Sequence, residues 1–287
     1  MRKQALIATV ILYISIPFYS CQKPNEAANL NSDSVDNNKT DMVPPHLTPY
    51  QFERINKNNF YSQGWKEQEV NLVSGTTTFS DESDFVEVVC GPVNNSDSRL
   101  IPGCVTMNLP TSSNPTLRRI RLRKGGYSGV LLSDLTELKY STYVIRNAPT
   151  IMVLQVDINN DEAKDFNIFF SPLRFHQGDN YPPIVINSWQ QWDALNGKWF
   201  IEAGQLAEFP NGSCTIQQLI SIPKYANARI IDTPPAGQNG EGVRFTIGGT
   251  PRELYDNTIG YFDALIIGTK DRQHSKVFDF VCDHSGD

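Results

Sequence analysis

The stretch Leu117–Val144 constrains the fold of this chain more than any other part of its sequence. Basic and apolar side chains alternate at its start, in the order Arg119, Ile120, Arg121, Leu122 and Arg123. Alternation with a period of two is typical of a strand that has one polar and one apolar face. A glycine-rich break follows at residues 125–129, and a second alternating run begins at Leu138. The pattern predicts two strands here, with the arginines on a solvated face.

Strand-like runs also dominate the rest of the chain, and one of them is Ile184–Trp189. Clusters of Gly, Pro, Asn and Asp separate the runs, and many short strands at steady spacing are typical of an all-β sandwich or barrel. Two short helices are expected, at Ser133–Leu138 and at Thr215–Ile222, where Thr215 and Gln218 form a capping-box pattern. Residues 46–287 contain no internal linker, so they predict a single domain.

The first residues of the chain are typical of an exported protein. Arg2 and Lys3 precede a short apolar run, Ala5–Phe18, as in secretory signal peptides. Residues 18–21, Phe-Tyr-Ser-Cys, resemble the lipobox of bacterial lipoproteins. The resemblance implies that the signal peptide, residues 1–20, is removed and that Cys21 is lipidated. The alternative is an ordinary signal peptide cut nearby, which would leave Cys21 as an odd thiol.

Residues 21–45 are polar and poor in aliphatic side chains, so they predict a flexible tether between the lipidated cysteine and the domain. The formal net charge of −6 does not favour nucleic acid as a partner. The expected location is the bacterial outer membrane, reached through the lipid anchor, with the periplasmic or the surface side left open.

The order of motifs along the domain also resembles a known architecture. The motifs are YSGVLLSDLTELKYSTYV, LQVDINND, DFNIFFSP, WQQWDALNGKWF, TIQQLISIPKYANARI, GVRFTIGG, IGYFDALIIG and KVFDF. Together they resemble a group of exported bacterial jelly-roll domains of the concanavalin-like or carbohydrate-binding-module type, over roughly Asn71–Val281. The resemblance implies an all-β, antiparallel jelly-roll β-sandwich with one or two short helices. It implies no particular chemistry, because one fold can host many functions.

Four of the five cysteines follow Cys21, and four cysteines allow three pairings. Export permits disulfides. Cys90 and Cys104 flank a polar loop between two strand-like runs, so we predict that they pair across neighbouring strands, leaving Cys214 to pair with Cys282. A zinc site is the rival interpretation, but the sequence has no CxxC pair and its four histidines are scattered.

A polar loop is the candidate metal site. Its oxygen ligands would be Asp157, Asn159, Asp161 and Asp165. Their D-x-N-x-D spacing resembles the opening of many calcium loops, and alternate oxygen ligands suit a hard cation. The alternative is a polar hairpin turn, in which Asn and Asp are good turn residues.

Three tryptophans are the candidate ligand-binding residues: Trp189, Trp192 and Trp199, with Asp193 as a polar neighbour. Indole rings on an exposed sheet face would stack against sugar rings. The alternative is core packing, since buried tryptophan is common inside sandwiches. The arginine row is a weaker candidate, which could bind carboxylates or sulfates of an acidic polysaccharide.

Enzyme signatures are mostly missing from the sequence, and no catalytic residue is predicted. The E-x-D-x-x-E string of laminarinase-type jelly-roll glycanases does not occur, nor do a G-x-S-x-G elbow or a phosphate loop. The sequence therefore predicts a non-catalytic binding domain with glycan as the first-guess ligand. A structural or adhesion protein that contacts other envelope proteins is the alternative. A glycan-degrading enzyme with an unrecognised site is the third hypothesis.

Overall fold

A computed structural model describes residues 50–71, 77–78, 86–94, 100, 102–109, 118–146, 148–173, 182–201, 206–209, 211–232, 242–248 and 258–282. The chain divides into two compact units, Met1–Leu47 and Thr48–Asp287, and all described residues belong to the second. The predicted signal peptide, the predicted lipidation site Cys21 and the whole of the predicted tether therefore lie outside the described residues.

Strands make up most of the described chain. In chain order they are β1 (Gln51–Ile55), β2 (Trp65–Asn71), β3 (Thr77–Thr78), β4 (Val86–Val89), β5 (Cys104–Leu109), β6 (Arg118–Lys124), β7 (Leu135–Arg146), β8 (Ile151–Asp157), β9 (Phe166–Phe170), β10 (Trp189–Asp193), β11 (Lys198–Ile201), β12 (Ser213–Thr215), β13 (Arg229–Ile230), β14 (Val243–Gly248), β15 (Thr258–Thr269) and β16 (Lys276–Phe280). They form two sheets, one of seven and one of nine described strands.

The long strand β15 is the centre of the seven-stranded sheet. On one side it pairs with β7, which pairs in turn with β10. On the other side the first half of β15 pairs with β5 and its second half with β16, and β4 and β1 lie outside these two strands. The described pairings in this sheet are antiparallel except for β1 with β16, which run parallel.

The nine-stranded sheet has the order β12-β11-β9-β8-β14-β6-β2-β3, and β13 also pairs with β8. Aromatic rings from the two sheets meet between them. Trp65 of β2 lies 5.0–6.2 Å, centroid to centroid, from three rings of the other sheet, Phe262, Phe278 and Phe280. Tyr140 of β7 lies 5.5 Å from Phe245 of β14. The sheets therefore pack face to face, which confirms the predicted all-β sandwich.

One predicted helix is confirmed and the other is wrong. In α1 (Ile216–Ile220) the Gln218 amide donates to Thr215 Oγ1 at 3.1 Å, and the Thr215 amide donates to Gln218 Oε1 at 2.9 Å, which is the predicted capping box. At the other position only Leu132–Asp134 form a 3₁₀ turn, because β7 begins at Leu135 to pair with β15. Within the described ranges, no helix is long and apolar enough to cross a bilayer.

Strand β6 is present as predicted, but its arginine face is only partly solvated, since Arg119 and Arg121 are half-buried and Arg123 is buried. β6 lies between β14 and β2, and Arg123 stands opposite Arg244 with both side chains buried. Burial lowers the pKa of the Arg121 guanidinium to about 10. Alternation predicts a strand, but it cannot show that other parts of the chain cover the outer face of that strand.

The predicted cysteine pairs are wrong. The disulfide joins Cys90 to Cys282, while Cys104 and Cys214 are buried free thiols. The β4–β5 register places Val89, and not Cys90, opposite Cys104. Cys90 lies one residue past the end of β4, and its sulfur bonds to the chain just after β16. Sequence spacing could not predict this pair, because it does not show that the end of β16 lies close to the end of β4.

Candidate ligand-binding face

Three aromatic side chains form a row across the outer face of the seven-stranded sheet. Trp189 of β10 lies opposite Tyr143 of β7, and Tyr143 lies opposite Tyr261 of β15. The ring centroids are 5.7 Å apart in the first pair and 5.9 Å apart in the second. We call these three residues the aromatic row.

Strand alternation places the aromatic row on the side away from the core. Successive side chains of a strand point to opposite faces. Accordingly Phe262, which follows Tyr261, is completely buried between the sheets, whereas Tyr261, Tyr143 and Trp189 are all partly exposed. The row is thus a surface feature with the sandwich core directly beneath it.

Exposed aliphatic side chains border the aromatic row. Val185 and Ile186, just before β10, are 47% and 54% exposed, and Val93 is 52% exposed. Val93 follows Pro92, whose carbonyl accepts the indole N–H of Trp189 at 3.0 Å. Glu87 and Gln191, also exposed, supply polar groups nearby. Apolar side chains gathered in one surface patch with polar neighbours are typical of an interaction site.

A short segment, residues 90–94, lies against the aromatic row, and we call it the strap. The disulfide fixes its first residue to Cys282. A Cβ on Gly91 would lie 3.4 Å from two ring carbons of Tyr261 and would overlap the Cys104 sulfur. At its other end the Asn94 amide donates to Asp263 Oδ2 at 2.9 Å. The strap therefore contacts two of the three residues of the row.

Asp263 is a fully buried carboxylate beneath the strap. Its Oδ1 accepts the amide of Phe280 at 3.2 Å, and the chain bulges at the next residue, Ala264, where φ is +51°. Burial raises the pKa of Asp263 to about 7, and the charge of Asp279 adds to the rise, while hydrogen bonds from Asn94 and Phe280 oppose it. This carboxyl group therefore changes its protonation state near neutral pH.

The free thiol of Cys104 lies under the same strap. Burial, helped by the charge of Asp263, raises the pKa of this thiol to about 12. A thiol with so high a pKa stays protonated and unreactive while it is covered. The reactivity of the Cys104 thiol therefore reports whether the strap covers it.

Two of the predicted ligand-binding tryptophans cannot meet a ligand in this structure. Trp192 and Trp199 are 0% exposed, and their indole N–H groups donate to Thr142 Oγ1 and to the Ala194 carbonyl, each at 2.8 Å. They are core residues, so the prediction that they contact a sugar is wrong. Only Trp189 of the three lies on the surface.

The fourth predicted residue, Asp193, lies at the far end of β10 from Trp189. Its Oδ2 accepts the side-chain amide of Asn196 at 2.8 Å, and its Oδ1 accepts the Asn196 backbone amide at 3.2 Å. It is four positions along the strand from Trp189, which is roughly 13 Å. The two are on the same face, but Asp193 belongs to a local turn and not to the aromatic row.

The predicted calcium loop is a turn whose first carboxylate is occupied by backbone amides. Asp157 Oδ1 accepts the amides of Asn159 and Asn160 at 3.0 and 2.8 Å, and its Oδ2 accepts that of Glu162 at 3.2 Å. Asp161 and Asp165 also accept backbone amides, those of Ala163 and Ile158. Within the described part of the chain, no three His, Cys, Asp or Glu side chains group as a metal site requires. Calcium binding here stays a prediction.

The sequence analysis missed Tyr143 and Tyr261, which complete the aromatic row. Each occupies an alternating position in a strand-like run, so its strand could be read from the sequence. Their meeting depends on the β7–β15 register, which no local pattern gives. Comparisons of the chain with protein-family models, curated proteins and solved structures find no match.

Proposed function

We propose that this chain is an exported, lipid-anchored protein whose sandwich domain binds glycan without catalysis. The ligand would lie on the aromatic row of Trp189, Tyr143 and Tyr261. The observation that supports the proposal is the alignment of three partly exposed aromatic rings across three neighbouring strands.

Aromatic rings suit sugars because a pyranose has apolar C–H faces and polar edges. The rings bury the C–H faces, and nearby polar side chains accept or donate hydrogen bonds to the hydroxyls. Glu87 and Gln191 are exposed, and Thr106 and Asn108 are half-buried on the neighbouring strand β5. The outer face of the sheet thus offers both kinds of contact.

The tilt of the rings indicates which form of glycan we expect to bind. The interplanar angles are 61° for Trp189 with Tyr143 and 65° for Tyr143 with Tyr261. A flat crystalline polysaccharide would need coplanar rings, whereas tilted rings present ridges between which a single chain can lie. We therefore expect a soluble single-chain glycan to bind better than a crystalline one.

Affinity electrophoresis in gels containing soluble polysaccharides tests this proposal. We expect Trp189→Ala and Tyr143→Ala each to weaken binding by about tenfold or more, which corresponds to about 1.4 kcal/mol. Tyr61→Ala is the matched control, because Tyr61 is an aromatic residue, 42% exposed, outside the row. Retention of wild-type binding by both row variants, or no binding of any polysaccharide by the wild type, would contradict the proposal.

Membrane attachment is a separate part of the proposal. The lipobox-like residues 18–21 support it. We expect Cys21→Ser to move the protein from the membrane fraction to the soluble fraction. Unchanged membrane retention of this variant would rule out attachment through a lipid on Cys21.

Contact with another envelope protein is the second candidate function. The exposed aliphatic side chains of Val93, Val185 and Ile186 favour it, because protein interfaces bury such groups at their centre. Ile186→Asp should abolish co-purification of a partner while leaving polysaccharide binding intact if the two functions use different parts of the patch.

A further inference from the structure

We infer that Asn94 and Asp263 are positioning residues for Trp189, which they hold through the strap, so that the binding face is tight when Asp263 is protonated and loosens when it is ionised. The inference deepens the proposed function and rests on it for its biological meaning. Its tests use no ligand, so failure of glycan binding and failure of this inference are distinguishable.

The first step is the geometry of the strap. Its two anchors are the disulfide at Cys90 and the hydrogen bond from Asn94, and Pro92 lies midway between them. The Pro92 carbonyl accepts the indole N–H of Trp189 at 3.0 Å. Displacement of either anchor therefore moves the carbonyl that orients the indole.

The second step is the chemistry of the Asn94 anchor. Both side chains are buried, with Asn94 4% and Asp263 0% exposed. An ionised carboxylate offers acceptor sites on both oxygens, one for Asn94 and one for the amide of Phe280. Hydrogen bonds to an ionised acceptor are roughly twice as strong as neutral ones. This bond favours the ionised form, but burial disfavours that form more strongly and is the largest cause of the raised pKa of Asp263. An open strap would hydrate the charge, so ionisation of Asp263 weakens the closed state of the strap.

The third step is the environment that sets when Asp263 titrates. The groups that face it come from each neighbouring element: Asn94 of the strap, Asp279 of β16, Cys104 of β5 and Ser141 of β7, with Arg54 of β1 opposite Asp279. Burial and Asp279 raise the pKa of Asp263 to about 7. The strap should therefore loosen as the pH rises from 6 to 8.

Quenching of tryptophan fluorescence by acrylamide reports directly on the strap. Of the four tryptophans, three are fully buried, namely Trp65, Trp192 and Trp199. The quenchable signal of the folded chain thus belongs to Trp189. We expect the quenching constant to rise by about twofold from pH 6 to pH 8, as local opening exposes the indole.

Variants separate positioning from general stability. Asp263→Asn should abolish the pH dependence of quenching between pH 6 and 8, and Asn94→Ala should give high quenching at both pH values. Trp189→Phe should remove most of the quenchable signal, which checks its assignment. Asp193→Asn is the matched control, since it removes an acid from the same face without touching the strap. A flat wild-type profile, or an unchanged profile in Asp263→Asn, would overturn the inference.

The disulfide anchor has its own readout in Cys104. Reduction of Cys90–Cys282 should release the strap and let iodoacetamide reach Cys104, which peptide mapping identifies. Cys214, also a buried free thiol, is the matched control and should remain unmodified. We expect Cys104 to be alkylated at least about tenfold faster after reduction, because the open state dominates exchange with solvent. Equal protection of Cys104 before and after reduction would show that the strap does not depend on this anchor.

Discussion

Trp189 and Trp192 lie three residues apart on the same strand, yet they belong to different parts of the molecule. Trp192 points into the core, is completely buried, and donates its indole N–H to Thr142 of the adjacent strand. Trp189 points outward, is partly exposed, and donates its indole N–H to the strap. The inner indole is held by the sheet and the outer one by a loop. The outer face can therefore change position without repacking the core.

The comparison also applies to polar side chains, because a side chain that points away from the core can still be buried. Asp263 and Cys104 point away from the core of the seven-stranded sheet and are 0% exposed, since the strap covers them. Asp157, at the end of β8, is 1% exposed on the outer side of the other sheet. The outer faces thus contain a second, polar layer of buried groups.

The largest loss of stability is expected when the inner tryptophan, Trp192, is removed. Trp192→Ala removes a fully buried indole, so we expect a loss of about 3–5 kcal/mol in the free energy of unfolding. Trp189→Ala should cost about 1 kcal/mol or less, because its indole already meets solvent. Urea denaturation measures both. Equal losses in the two variants would show that the outer indole is part of the core.

A somewhat smaller effect is expected at Asp263, and its sign depends on pH. The pKa rises from 3.8 to about 7 on folding, so the folded state binds this proton more tightly and stability from this group falls as the pH rises from about 4 to 7. Asp263→Asn should therefore be more stable than the wild type at pH 8, by about 2–4 kcal/mol at 1.36 kcal/mol per pKa unit.

The pH course of the difference checks this prediction. The gain of Asp263→Asn over the wild type should shrink steadily below pH 7 and vanish near pH 4 in urea titrations. A variant that is less stable than the wild type at pH 8 would contradict the raised pKa. The prediction agrees in sign with a strap that loosens at high pH, because Asn94 offsets only part of the cost of burying the charge.

The Asp157 turn offers the matching test on the nine-stranded sheet. Asp157→Ala leaves three backbone amides without their acceptor, and we expect a loss of about 1–3 kcal/mol. Unlike Asp263, this carboxylate bonds only its own turn, so the quenching of Trp189 should not change. A calcium-dependent shift of the melting temperature that disappears in Asp157→Ala would favour the metal interpretation over the turn.

The smallest effect is expected from a change that keeps the outer ring and removes only its hydrogen bond. Trp189→Phe loses the indole N–H that donates to Pro92, which should cost about 0.5 kcal/mol, at the low end for a hydrogen bond because the indole is partly exposed. Chemical denaturation followed by circular dichroism measures this without relying on tryptophan emission. A loss as large as that of Trp192→Ala would end the distinction between the two faces.

Local patterns in the sequence predicted local structure well. Alternation gave β6, and the Thr215–Gln218 pair gave the start of α1, because both depend on residues close in the chain. The predicted strand Ile184–Trp189 was wrong, because the strand of the structure begins at Trp189 and runs to Asp193. Residues separated by three positions on one strand face opposite sides of the sheet, so Trp189 and Trp192 could not both lie on one binding surface.

Long-range pairing explains what local patterns could not give. The aromatic row requires β7 to lie between β10 and β15 in one register, and Tyr143 and Tyr261 are far apart in the chain. The Cys90–Cys282 bond likewise joins residues separated by 192 positions. The burial of Arg123 could not be predicted for a related reason, because the surroundings of a side chain depend on distant parts of the chain.

The parallel pairing of β1 with β16 has a mechanical consequence. A pull on the amino end of β1 along the strand axis loads the five residue pairs from Gln51 to Ile55 together, in shear, and does not peel them apart one by one. The ion pair between Lys276 and Glu53 also joins β1 to β16. The disulfide links the chain just after β16 to the strap. Tension applied to the start of β1 would thus be transmitted through β16 and the disulfide to the strap, which contacts the aromatic row.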